Sequence, residues 1–217
     1  MGHSREQSHT EEFFNRITCA AGLCLSVAGL VVLVILASLH GDPRRIVSLS
    51  IYGASLVFLF TCATLYHSFQ DKKTKHVLEI LDHSAIYILI AGTYTPFALV
   101  TLKGAWGWSL FGVVWGLALA GTVFKIFFVK KFKVFSVTLY LLMGWLAVVA
   151  LQPLTQRLAA GGVLWLAGGG IIFSLGVFFY THKKLPFQHA VWHLFVLMGC
   201  ACHFFSIFYY VLPAGPQ

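Results

Sequence analysis

The 217-residue chain is 59% hydrophobic and 10% charged, with a formal net charge of +8 and a mean hydropathy of +0.83. Soluble domains are about a quarter charged, so a water-soluble globule is excluded, as are collagen-like, disordered and disulfide-scaffold chains. The seven acidic residues (Glu6, Glu11, Glu12, Asp42, Asp71, Glu79 and Asp82) lie outside the apolar runs or at their edges. The five cysteines (Cys19, Cys24, Cys62, Cys200 and Cys202) are odd in number and sit mostly in apolar stretches. They read as small packing residues and not as a disulfide framework.

Crossing a bilayer as a helix takes about 20 mainly apolar residues at 1.5 Å of rise each. Residues 1–16 are polar and mixed in charge, so they read as a cytoplasmic N-terminal segment, and no cleaved signal peptide is expected. Apolar runs follow at 17–39, 46–67, 79–101, 107–128, 134–152, 159–180 and 188–212. They predict an all-α fold, a seven-transmembrane helix bundle over 17–212, with 213–217 as a short external tail. Connections are short and leave no room for a soluble domain. Pro96 falls well inside the third run, where a kink is expected. Gly107, Gly112, Gly116 and Gly121 in the fourth run, and Gly168, Gly169 and Gly170 in the sixth, fit close helix approach. Trp106, Trp108, Tyr209 and Tyr210 are placed like interfacial aromatics. No internal repeat of the transporter kind is evident.

Alternating the loops between two sides puts eleven of the fifteen Lys and Arg on one of them. By the positive-inside bias that side is cytoplasmic, which places the N-terminus inside and the C-terminus outside. Basic inner loops facing anionic headgroups account for the net charge, and no nucleic acid is required.

Ionisable groups inside a bilayer are costly and call for a partner or a purpose. Three clusters reach the same cytoplasmic depth: His67 ends the second run, Glu79, Asp82 and His83 open the third, and His189 and His193 open the seventh. His189 and His193 are four apart, hence on one helical face, and both can reach one metal at about 2.0–2.1 Å. With His67 they form the composition of a catalytic zinc site, three histidines and an open position. The intervening Ala-Val-Trp supplies no built-in base, so Asp82 is the nearest acidic group to hold or deprotonate a water. The alternative is that the pair simply hydrogen-bonds headgroups or loop carbonyls. His203 lies about 21 Å further along the axis and is expected to make an interhelical hydrogen bond. His83 reads as a packing or supporting residue, His40, His76 and His182 as loop histidines, and His3 and His9 as parts of a polar tail.

The strings Ala-Thr-Leu-Tyr-His-Ser-Phe (63–69), Leu-Asp-His-Ser-Ala-Ile-Tyr-Ile-Leu-Ile-Ala-Gly-Thr-Tyr-Thr-Pro-Phe (81–97) and His-Ala-Val-Trp-His-Leu-Phe-Val-Leu-Met-Gly (189–199), with His203-Phe204-Phe205, resemble bacterial hemolysin III proteins. These form the bacterial branch of the progestin and adipoQ receptor superfamily, which also contains the adiponectin receptors. The resemblance covers nearly the whole chain. It implies a multi-pass protein of the bacterial inner membrane with a Zn2+ ion near the cytoplasmic leaflet. His67, His189 and His193 match the family's metal ligands, and Asp82 matches its aspartate near the metal's water.

What the resemblance implies for function is a metal-dependent hydrolase acting on a lipid amide in the manner of a ceramidase, with membrane lipids as partners and an effect on membrane lipid homeostasis. Its alternatives are a receptor or regulator with a structural zinc, and a cytolytic protein. No polar stripe runs through all seven spans, which argues against a pore. Two positions depart from the family pattern. Ala63 stands where the family has Ser, leaving Thr64 and Ser68 as the nearby hydroxyls, and Cys19 stands where the Glu11–Asn15 pattern ends in His. Both bear on catalytic competence.

Overall fold

The computed structural model describes residues 8–181 and 186–213, so His3, His182, Lys183, Lys184 and the outermost tails lie outside the described residues. Helix α1 (His9–His40) starts eight residues ahead of the apolar run. The Ser8 hydroxyl accepts the Glu11 N–H (3.2 Å) while the Glu11 carboxylate accepts the Ser8 N–H (2.8 Å), a reciprocal cap that makes a polar segment helical. Glu12 and Asn15 therefore belong to the helix and not to a tail, and His9 is its first residue. At the far end Gly41, at φ +70°, ends α1 in the left-handed conformation. Asp42 then caps α2 (Pro43–Ser68), whose first residue is proline, by accepting the Arg44 N–H.

Asp71 opens α3 (Lys72–Pro96) in the same way: its carboxylate accepts the Thr74 N–H and hydroxyl, both at 2.9 Å, which holds its pKa below the ordinary value. His76, expected in a loop, is thus inside a helix. Pro96 cannot donate to Gly92, and the chain answers with a π-helical stretch, Phe97–Leu102, that carries the span onward. Helices α4 (Gly104–Phe128), α7 (Ala160–Thr181) and α8 (Gln188–Tyr210) are continuous.

The fifth run is not one helix. It divides into α5 (Lys133–Gly144), a 3₁₀ turn (Trp145–Val148) and α6 (Leu151–Arg157), with a 54° bend between the two parts. Pro153 in α6 removes a donor, and the break at Gly144 is stitched by Tyr94 of α3. The Tyr94 hydroxyl donates to the Gly144 carbonyl and accepts the Ala147 N–H, each at 2.7 Å. Backbone polar groups in a membrane must be satisfied internally, so a buried tyrosine from the next helix makes the break tolerable. Six helices are long and apolar enough to cross a membrane, or seven with the bent pair as one span. The chain is a multi-pass membrane protein, all-α among the described residues.

Antiparallel neighbours pack in sequence, α1 on α2, α2 on α3 and α3 on α4, while α7 packs on α8 and α8 closes back onto α1. Glycines serve some of these contacts. A Cβ at Gly121 would sit 2.6 Å from the Tyr87 ring, and one at Gly169 would run into His203, whereas Gly112, Gly116 and Gly168 face open space. All five cysteines are free, so there is no disulfide framework; Cys19, Cys62 and Cys200 are buried, whereas Cys24 is exposed. His203 makes the expected interhelical bond, its Nε2–H donating to the Leu166 carbonyl of α7 at 3.2 Å.

Replacing Tyr94 by Phe leaves the Gly144 carbonyl and the Ala147 N–H without their shared partner. We expect Tyr94→Phe to lose about 1–3 kcal/mol of stability, read as a lower unfolding midpoint in detergent with the helical circular dichroism of the folded protein retained.

Candidate metal centre

One end of the bundle gathers the start of α1, the end of α2, the start of α3 and the start of α8. There the structure brings His67, His189 and His193 together. Ring centroids are 5.0 Å apart for His67 and His189, 5.1 Å for His67 and His193, and 4.7 Å for His189 and His193. His67 and His193 are 2% and 6% exposed, so water does not satisfy these rings.

The tautomer of His67 follows from its surroundings. Nδ1–H donates to the Glu12 Oε2 at 2.6 Å, a carboxylate that accepts only. The Nε2 lone pair therefore points away from α1, and it meets His193 Nε2 at 3.1 Å. A carboxylate behind a ligating imidazole fixes ring orientation and raises its basicity, the arrangement found behind metal-binding histidines. Glu12 is held in turn by the Lys75 ammonium of α3 at 2.7 Å, so one carboxylate joins three helices. Beside it, Glu11 accepts the Phe187 N–H at 3.3 Å and tethers the start of α8 to α1.

The donor set fits a zinc-type ion. Imidazole and thiol donors are its preferred ligands, and the His189 Nε2 is buried with no hydrogen-bond partner, a polar atom that a cation would satisfy. Among the described residues, the ligand atoms of Cys19, His67 and His193 all lie within 4.8 Å of one another. That group includes the α1 cysteine and leaves out His189, which lies one turn before His193 on α8, so it differs from the three-histidine set expected from the sequence.

Asp82 lines the same cavity as His189 and His193, and its carboxylate lies 4.0 Å from His83 Nδ1. His83 itself bonds to the Glu79 carbonyl at 2.8 Å, a supporting residue of α3. Ala63 faces this cavity one turn before His67. The Thr64 and Ser68 hydroxyls do not stand in for the missing serine, because they donate to the Phe60 and Thr64 carbonyls of their own helix. The cavity measures about 1040 Å³. Along α3 and its π-helical extension the lining runs from Glu79 to Leu102, about 35 Å of helix axis. Beyond the polar end its walls are apolar, including Leu89, Phe97, Leu110 and Val163.

Sequence reading missed Glu12 and Lys75 as parts of the site. Glu12 had one available signal, an acidic residue seven positions before Cys19 and so on the same helical face. Its partner is 55 positions away, which no periodicity reports. Glu12→Ala leaves a buried Nδ1–H unpaired and frees α3 from α1. A loss of about 1–3 kcal/mol is expected, with most of it restored in Glu12→Gln, which keeps an acceptor for His67. Unfolding midpoints of the two variants in detergent measure this.

With the geometry described, comparison with known proteins is informative. The Haemolysin-III related family profile matches residues 7–204. The protein named Hemolysin-3 of Bacillus cereus is 49% identical over 205 residues, covering 94% of both chains. The Hemolysin-3 homolog of Bacillus subtilis is 52% identical over 200 residues, covering 92% of this chain and 94% of its own. A more distant relative, the human monocyte to macrophage differentiation factor, is 31% identical over 199 residues, 89% of this chain and 82% of its own. Seven apolar runs, a histidine cluster at one end and a match over nearly the whole length lead to one statement: the chain belongs to the Haemolysin-III related family.

Proposed function

We propose that the protein is a zinc-dependent hydrolase of the bacterial inner membrane, acting on a ceramide-like lipid amide at the inner leaflet and thereby on membrane lipid homeostasis. The observation that carries this reading is the meeting of three imidazoles, two buried and one half-buried, beside the polar end of a long apolar cavity that His189 and His193 line, with His67 oriented by the half-buried Glu12 carboxylate. His67, His189 and His193 hold the ion. Zinc supplies Lewis acidity toward a carbonyl and lowers the pKa of water toward about 7. Asp82 holds the attacking water and takes its proton. Glu12 keeps His67 in the ligating tautomer, and Lys75 keeps Glu12 ionised. The acyl chain of the substrate lies along Leu89 and Phe97, which sets the amide at the level of the histidines.

The orientation belongs to the same proposal. Eleven basic residues on the side of the histidines support a cytoplasmic N-terminus and an external C-terminus, so that the site faces the inner leaflet. A second reading is a receptor or regulator in which the metal joins α1, α2 and α8 structurally; the thiol of Cys19 within the donor cluster favours it. The printed names of the bacterial relatives make lysis a third outcome to examine.

Purified protein is expected to bind one zinc per chain and to lose it in His189→Ala. Turnover of a long-chain N-acyl sphingoid amide in mixed micelles is expected to vanish in folded His193→Ala and to fall about 10²–10⁴-fold in Asp82→Asn. Metal-free wild type, or turnover unchanged in His193→Ala, overturns the hydrolase. Retained zinc without turnover, together with a bundle loosened by chelation, favours the structural reading, and dye release from liposomes holding only this chain favours the lytic one. A reporter active only outside the cytoplasm is expected to work when fused after residue 217 and to be silent when fused before residue 1.

A further inference from the structure

We propose that Cys19 supplies a fourth protein ligand to this metal centre, as a thiolate, so that the resting set is one sulfur and three imidazole nitrogens; the inference rests on the zinc reading above. Four observations lead to it. The Cys19 sulfur, a His67 nitrogen and a His193 nitrogen lie within 4.8 Å of one another. Ligands at about 2.3 Å for sulfur and 2.0–2.1 Å for nitrogen, arranged tetrahedrally, stand about 3.5 Å apart, so a small inward movement closes the set. The 3.1 Å between His67 Nε2 and His193 Nε2 is already a ligand-to-ligand spacing.

Second, Cys19 and Glu12 are seven apart on α1, on one face. That face meets His67 twice: Glu12 takes Nδ1–H, and the Cys19 sulfur lies within 4.8 Å of a ring nitrogen. Third, the His189 Nε2 is buried without a hydrogen-bond partner, and its ring lies 5.0 Å from that of His67 and 4.7 Å from that of His193. Fourth, the other cysteines fall outside the triangle. Cys24 is exposed, and Cys200 lies eleven residues beyond His189, about 16 Å along α8. A buried cysteine elsewhere in this chain is a packing residue. Cys19 differs in that its fully buried side chain faces two imidazoles.

On binding, the thiol proton leaves to solvent and the sulfur lone pair forms the bond to the metal. A set of four protein ligands is closed, the form of structural zinc sites, while an open position marks catalytic ones.

Zinc K-edge absorption of the full-length, zinc-loaded protein in detergent tests this. The expected shell is one sulfur at about 2.3 Å with nitrogens at about 2.0–2.1 Å, and the sulfur is lost in Cys19→Ser with the nitrogens kept. With cobalt(II) in place of zinc, a thiolate-to-metal charge-transfer band in the near ultraviolet is expected for wild type and absent for Cys19→Ser. The same variant should hold its metal at least about tenfold less tightly against a chelator. One zinc per chain with nitrogen and oxygen scatterers alone, in the wild type, overturns the thiolate ligand and leaves the three-histidine reading standing. A sulfur shell that persists in Cys19→Ser overturns it as well. A wild type that binds no zinc overturns both readings.

Discussion

A carboxylate packed between helices at the end of a membrane bundle is an expense that the fold must offset. Glu12 meets that demand with two partners from other helices, His67 Nδ1–H at 2.6 Å and the Lys75 ammonium at 2.7 Å. The arrangement has consequences beyond charge. It sets α1 against α2 and α3 at one register, because either contact is lost if α1 slides by a turn. It also chooses the tautomer of His67, which turns the other ring nitrogen toward α8. The same ion cluster that joins three helices therefore leaves a nitrogen lone pair of His67 facing His193. Losing Glu12 would leave the buried His67 Nδ1–H without its acceptor, so the site and the packing at this end of the bundle depend on each other.

The rest of the bundle divides by how tightly it is packed. Helices α1, α2, α3, α7 and α8 interlock around the histidines, with Gly169 letting His203 of α8 approach α7. The bent α5–α6 segment makes fewer close approaches, and the cavity extends beneath it. Tyr94 holds that bend in place from α3. The closely packed histidine end and the more loosely covered apolar cavity are distinct parts of the bundle. The proline at 96 and the tyrosine at 94 thus serve the same end from neighbouring positions. Pro96 turns α3 into its π-helical extension, and Tyr94 satisfies the backbone that the broken helix exposes.

The cysteine at position 19 bears on which of these parts dominates. With a thiolate in the set, the centre resembles a clasp between α1, α2 and α8. With an open fourth position, it is built for Lewis-acid chemistry. The geometry around His67 serves either, because Glu12 stiffens the ligand in both cases.

The residue order alone determined that this is an α-helical membrane protein, where most of its spans run, and that His67, Asp82, His189 and His193 reach one depth. Those conclusions rest on local quantities: apolar run length, helical periodicity and loop charge. The break within 134–152 was hidden because hydropathy registers apolar side chains and is blind to a backbone whose hydrogen bonds are completed by Tyr94 from another helix. Glu12, Lys75 and the approach of Cys19 to the histidines were likewise out of reach. Each is a contact across 48 or more positions, set by how α1 rotates and slides against α2, α3 and α8. Depth in the membrane is written one residue at a time, whereas the facing of one helix toward another is decided only when all of them pack.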